Sequence, residues 1–118
     1  MIQQKLVILK ENNVIDEQTY LFMQETLTLL KDKEIIKEES ESDTFITHLA
    51  MATSRQIKEE EPIDFVDDTI KNEIEKAAEF QQAVELWEQI TDLSPITFPE
   101  NEKDYFYLHL VTMLQNNN

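Results

Sequence analysis

Apolar residues recur along most of the chain at three- and four-residue steps, the spacing that lines one face of an α-helix. Ile2, Leu6 and Leu9 predict a short first helix that stops at Asn12-Asn13. Asp16 is a good N-cap for a second helix, with Tyr20, Met23, Leu27 and Leu30 as its stripe. It ends near Lys33, where cationic side chains favour the negative end of the helix dipole. Glu34 to Asp43 is mostly charged and reads as a linker whose Ile35-Ile36 pair can dock on the core. Ser42 or Asp43 can cap a third helix carrying Phe45, Ile46, Leu49, Ala50 and Ala52, which fades over Gln56 to Glu61 and is punctuated by Pro62.

Asp64 to Leu93 gives a long helical pattern with Ile70, Ile74, Ala77, Val84, Trp87 and Ile90 as its apolar stripe. The stripe weakens near Glu79 to Gln82, which leaves one helix or two, and Ser94-Pro95 ends it. Thr97-Phe98-Pro99-Glu100 fits a capping box, with Thr97 as N-cap and Glu100 at the third helical position. Tyr105, Phe106, Leu108, Leu110, Met113 and Leu114 follow in a strongly apolar last helix. The expectation is an all-α fold, a compact bundle of about five helices in a single domain over 1–118, because such stripes must be buried against one another.

Composition sharpens this picture. The 118 residues contain no glycine, so the turns must be made by other residues, which suits helices better than tight hairpins. The absence of cysteine excludes disulfides, zinc-thiolate sites and a cysteine nucleophile. A formal net charge of −15 argues against direct contact with nucleic acid or an anionic membrane and permits a basic protein partner. Met1 to Asn13 lacks the apolar core and cleavage site of a signal peptide, and no stretch approaches the roughly 20 apolar residues of a membrane span. The expected location is the cytoplasm, with no membrane insertion.

The two histidines, His48 and His109, both fall on or beside an apolar stripe. His48 shares its helix face with Phe45, Met51 and Ala52, and Arg55 lies seven residues on, two turns away and nearly in line. A guanidinium near an imidazole suits an anion held between them. His109 follows Tyr105 and Phe106 and precedes Thr112 and Met113, with Glu102 seven residues earlier. A half-buried histidine can fill core space, bind a metal, act as a base or attack phosphorus. No His-x-x-x-His or Glu-x-x-His pair accompanies either one, which argues against a metal, and no Gly-x-Ser-x-Gly elbow or Gly-rich loop points to a hydrolase. From spacing alone, each histidine reads as a core residue, Trp87 likewise, and Glu59-Glu60-Glu61 as a solvated face.

The residues around the histidines add a resemblance. Phe45-Ile46-Thr47-His48-Leu49-Ala50-Met51-Ala52-Thr53-Ser54-Arg55 resembles the first histidine motif of the phosphotransferase-system regulation domain: an apolar run, a His, a second apolar run and an Arg seven residues after the His. Pro99 to Leu110 is similar to its second motif, with Glu102 three residues after the Pro and an aromatic-apolar approach to His109-Leu110. The resemblance runs from roughly Ile15 to Leu114, the expected core of the domain. It departs from the family at two turns: Gln56 follows Arg55 where a Gly is often near, and Ala77 to Phe80 contains no Pro.

The resemblance implies a five-helix bundle that often dimerises, found in bacterial regulators of sugar-utilisation genes. It makes His48 and His109 phosphoacceptors, with Arg55 supporting the first site and Glu102 the second. The donors it implies are the phosphocarrier protein or sugar-specific subunits of the phosphotransferase system, with a further regulatory protein as the unidentified output partner. No cofactor and no enzymatic activity are expected. Two other readings stand beside this one. The first is a helical protein-interaction module that keeps the fold without using its histidines. The second is a small enzyme with His48 or His109 as base beside Glu102.

Overall fold

The structure, a computed structural model, describes residues 2–60 and 67–116. Among the described residues there are six α-helices: α1 (Ile2–Glu11), α2 (Glu17–Asp32), α3 (Asp43–Ile57), α4 (Asp68–Lys76), α5 (Phe80–Leu93) and α6 (Glu100–Asn116). The expected count of about five thus becomes six, because the long pattern ending at Leu93 divides where its stripe is weak. Ala77 takes an extended conformation between α4 and α5. On α4 only Ile74 is buried, and Ile70 is 44% exposed, so that helix contributes little to the core. The start of this pattern at Asp64, the Pro62 breaker and Glu61 lie outside the described residues.

The linker expected over Glu34 to Asp43 holds a turn of 3-10 helix, Glu39–Ser42, and Ile35 and Ile36 both dock in the core. Asp16 caps α2 as expected, its carboxylate accepting from the Thr19 N–H at 2.8 Å. Ser42 stands at the N-cap of α3, but its hydroxyl donates back to the Glu39 carbonyl instead of capping.

The capping box at Thr97 does not form. Helix α6 starts at Glu100, two residues after the expected first helical residue Phe98, and Thr97 is exposed ahead of it. A box would need Phe98 in the helical region, and the residue before a proline is disfavoured there. Packing favours the same outcome, since the Phe98 ring lies 5.3 Å from Trp87 and 5.5 Å from Phe106.

Three helices end in left-handed C′ residues without any glycine: Asn13, Glu34 and Glu59, with φ of 59°, 60° and 59°. Each closes a Schellman motif. After α2, for example, Glu34 N–H donates to the Lys31 carbonyl at 3.0 Å and Ile35 N–H to the Leu30 carbonyl at 2.9 Å. Buried Ile35 and Leu30 make the apolar partnership that such motifs favour.

The core is a single cluster to which every α-helix contributes. Helix α6 packs against α3, α4 and α5, and α2 against α1, α3 and α5. Phe106 on α6 sits at the centre: its ring stacks on Trp87 at 4.6 Å and meets Phe45 edge-on at 6.1 Å. By fixing α3, α5 and α6 together, Phe106 sets the geometry of the two helices that carry the histidines.

Candidate functional site

Helices α3 and α6 run antiparallel, and that register assembles the site. His48 and Arg55 are seven residues apart on α3, and Glu102 and His109 are seven apart on α6. At 1.5 Å per residue each pair spans roughly 10 Å along its helix. Two rungs therefore match: His48 faces His109, and Arg55 faces Glu102.

In the first rung, His48 Nδ1 and His109 Nε2 are 3.0 Å apart, within hydrogen-bond distance. The His48 ring also lies 4.8 Å from Tyr105 and 5.5 Å from Phe106, so one side of it is walled by aromatic groups from α6. Burial pushes the His48 imidazole down to about 4, with the neighbouring His109 and the Arg55 charge acting in the same direction. Burial also lowers His109. Both rings are therefore neutral at pH 7. One ring must then donate its N–H and the other accept, and each keeps one further nitrogen: Nε2 on His48 and Nδ1 on His109.

In the second rung, Arg55 Nη2 donates to Glu102 Oε1 at 2.9 Å. The Glu102 side chain is 0% exposed and that of Arg55 21%. The pairing is through one oxygen: Glu102 Oε2 and Arg55 Nε are buried with no hydrogen-bond partner among the described residues. Among the described residues a single cation holds this buried carboxylate, and that cation reaches toward solvent.

The cation also lines a surface recess of about 450 Å³ together with His48, Thr47, Asp43 and Lys5. Lys5, from α1, pairs with Asp43 at 2.6 Å and donates to the Thr47 hydroxyl at 3.3 Å. The recess thus presents two cations, a hydroxyl and an imidazole, the groups that accept a phosphoryl oxygen array. Asp43 is the counter-charge, its carboxyl held below the usual range by Lys5.

All four residues singled out in the sequence meet in this one place, though Arg55 and Glu102 bond to each other rather than each to a histidine. The equal seven-residue spacings on the two helices were the sequence signal for this pairing. Lys5 was not foreseen, because its approach to the site depends on how α1 crosses α3. Among the described residues, no group of three or more His, Asp or Glu side chains gathers in a way that could hold a metal, and no helix is long and apolar enough to cross a membrane.

Compared with protein families, the chain matches the PRD domain over residues 29–112, from the last turn of α2 into α6. That span includes both histidines, Arg55 and Glu102, while Lys5 lies outside it. No curated protein and no solved structure matches the chain. With most of its length matched, both histidine motifs included, the chain belongs to the PRD domain family, whose members are regulatory rather than catalytic domains.

Proposed function

We propose that the domain is a phosphorylation-controlled regulator: its histidine pair receives a phosphoryl group from the sugar phosphotransferase system, and the change controls carbohydrate-utilisation gene expression or a partner protein. The observation that supports this most is the first rung itself, two neutral imidazoles 3.0 Å apart, with His48 at the edge of a recess lined by Lys5 and Arg55. A neutral imidazole has the lone pair that phosphoryl transfer needs. Lys5, Arg55 and the Thr47 hydroxyl can donate to phosphoryl oxygens, and the roughly two negative charges that a phosphoryl group brings compete with Asp43 and Glu102 for the two cations.

The second rung supplies a route from phosphorylation to structure. A phosphoryl group on His48 competes with Glu102 for Arg55. If it wins, Glu102 loses the Arg55 cation in the protein interior, where an unpaired charge is costly. The packing of α3 on α6, and with it any surface built on those helices, then differs between the two states. The donors are the phosphocarrier protein or a sugar-specific subunit, the setting is the cytoplasm, and the state-dependent surface serves a homodimer or another regulatory protein rather than nucleic acid.

One observation favours a second reading, a helical interaction module that does not use its histidines. Arg55 is already engaged by a buried carboxylate, so its role is structural unless the phosphoryl group displaces Glu102. The two readings separate on labelling. The protein is incubated with phosphoenolpyruvate, the general phosphotransferase components and several sugar-specific subunits, and acid-labile phosphate is followed by intact-mass spectrometry. The regulator takes up label and the folded His48→Ala/His109→Ala protein does not. Equal mass in both proteins, with partner binding unchanged by the double substitution, supports the interaction module.

A further inference from the structure

We propose that the two histidines divide the work: His48 takes the phosphoryl group on Nε2, and His109 takes the proton that His48 gives up from Nδ1. This rests on the reading of the site as a phosphoryl acceptor and concerns which ring does what.

One nitrogen on each ring is committed to the other ring, His48 Nδ1 and His109 Nε2. His48, and not His109, lines the recess that holds Lys5, Thr47 and Arg55. A phosphoryl group entering there meets His48. The nitrogen left to react is Nε2, at the outer edge of the ring, whereas the uncommitted nitrogen of His109 is Nδ1, next to the carbon that ties the ring to the backbone of α6. Nucleophilic Nε2 must carry a lone pair, so the single proton of neutral His48 sits on Nδ1. That N–H then donates to His109 Nε2, and His109 holds its own proton on Nδ1.

The step balances without any further reagent. The Nε2 lone pair of His48 forms the new N–P bond. The P–N bond to the donor, a phosphohistidine of the carrier, breaks, and its electron pair returns to the donor nitrogen. As Nε2 loses electron density, the Nδ1 proton becomes acidic and passes across the 3.0 Å gap to His109 Nε2. The product is a phosphoryl dianion on a neutral His48 ring beside an imidazolium at His109. Around the pair stand Lys5 from α1, Asp43 and Arg55 from α3, and Glu102 and Tyr105 from α6. The dianion is the new charge that makes the His109 cation favourable, where burial alone disfavours it.

The test uses phosphoramidate, a chemical donor that releases ammonia when its P–N bond breaks, alongside the phosphotransferase relay. The proteins are the wild type, His48→Gln and His109→Gln. Glutamine at 109 can accept the Nδ1 hydrogen bond but cannot take the proton. His48→Gln should take no label, and His109→Gln should still be labelled at residue 48, about a hundredfold more slowly, in the range a positioned base contributes. In the wild type, 15N NMR should find His109 neutral before labelling and an imidazolium after it. This last measurement needs no variant and decides the matter if His109→Gln fails to fold. Label on His109 in the wild type, labelling of His109→Gln at the wild-type rate, or a His109 ring that stays neutral in labelled protein overturns the proposal. So does the absence of label at His48 from either donor. Label from phosphoramidate but not from the relay leaves the division of labour standing and retires the regulatory reading.

Discussion

Replacing Arg55 with methionine keeps most of the side-chain volume and removes only the cation, leaving the Glu102 carboxylate buried at 0% exposure with no partner on either oxygen. Breaking a buried pair in this way costs about 3–5 kcal/mol, because the remaining charge has lost its water and its counter-ion. For a domain whose total stability is on the order of 5–15 kcal/mol, that is a large fraction. With a urea dependence of about 2 kcal/mol per molar, the unfolding midpoint should fall by roughly 2 M. The double substitution Arg55→Met/Glu102→Gln removes the stranded charge. It should regain more than half of the loss, since Glu102 Oε2 is unpaired even in the native pair and the bridge is therefore imperfectly compensated. Equilibrium urea unfolding of the four proteins in this cycle, followed by circular dichroism, measures the coupling. A cost below about 1 kcal/mol for Arg55→Met, or a double variant no better than the single one, would refute the claim that Arg55 is the counter-charge of a buried Glu102.

Further expectations follow from the same geometry. Because the folded protein holds His48 down to about 4, below its unfolded value of about 6.5, the unfolded chain binds the extra proton as pH falls. The stability this withholds is intact above pH 6.5 and is lost on descending toward pH 4. Discounted for a half-buried ring, the loss is roughly 1–2 kcal/mol. His48→Gln should therefore lose less stability than the wild type between pH 7 and pH 5 in parallel denaturant titrations, and an equal loss in both proteins would contradict this. Glu34→Gly and Glu59→Gly relieve left-handed residues at helix ends, and each should raise stability by about 0.5–1 kcal/mol, additively, as read by thermal unfolding. Thr97→Ala should change stability by less than about 0.5 kcal/mol, where a working N-cap would cost about 1. Phe106→Ala should cost about 3–5 kcal/mol, because it empties the centre of the aromatic cluster.

What was legible in the sequence followed from local physics. The stripes on α1, α2, α3, α5 and α6 are periodic and long enough to be read directly. Asp16 declares the start of α2, and the weak stretch near Glu79 to Gln82 lies beside the break between α4 and α5. Local reading failed where a neighbouring preference or a distant contact overrode it. Thr97 and Glu100 have the spacing of a capping box, but the proline after Phe98 and the pull of Trp87 delay the helix. Glu34 and Glu59 carry no sign that they adopt left-handed turns, since the residue that would announce it, glycine, is absent from the chain. The histidine motifs were visible because their residues are local. The equal seven-residue spacings hint at the pairing of Arg55 with Glu102 but do not fix it, because it depends on the antiparallel register of two helices some fifty residues apart, and the arrival of Lys5 depends on a third.

The paired histidines are proposed as a phosphoryl-accepting switch. The most direct test is to treat the wild-type protein with the complete phosphotransferase relay, count phosphoryl groups by intact mass at neutral pH, and map them after digestion. An acid-labile phosphoryl group is expected on the histidine pair, on the peptide that carries His48. No gain in mass with any sugar-specific donor, while the same relay labels its own phosphocarrier, would contradict the proposal.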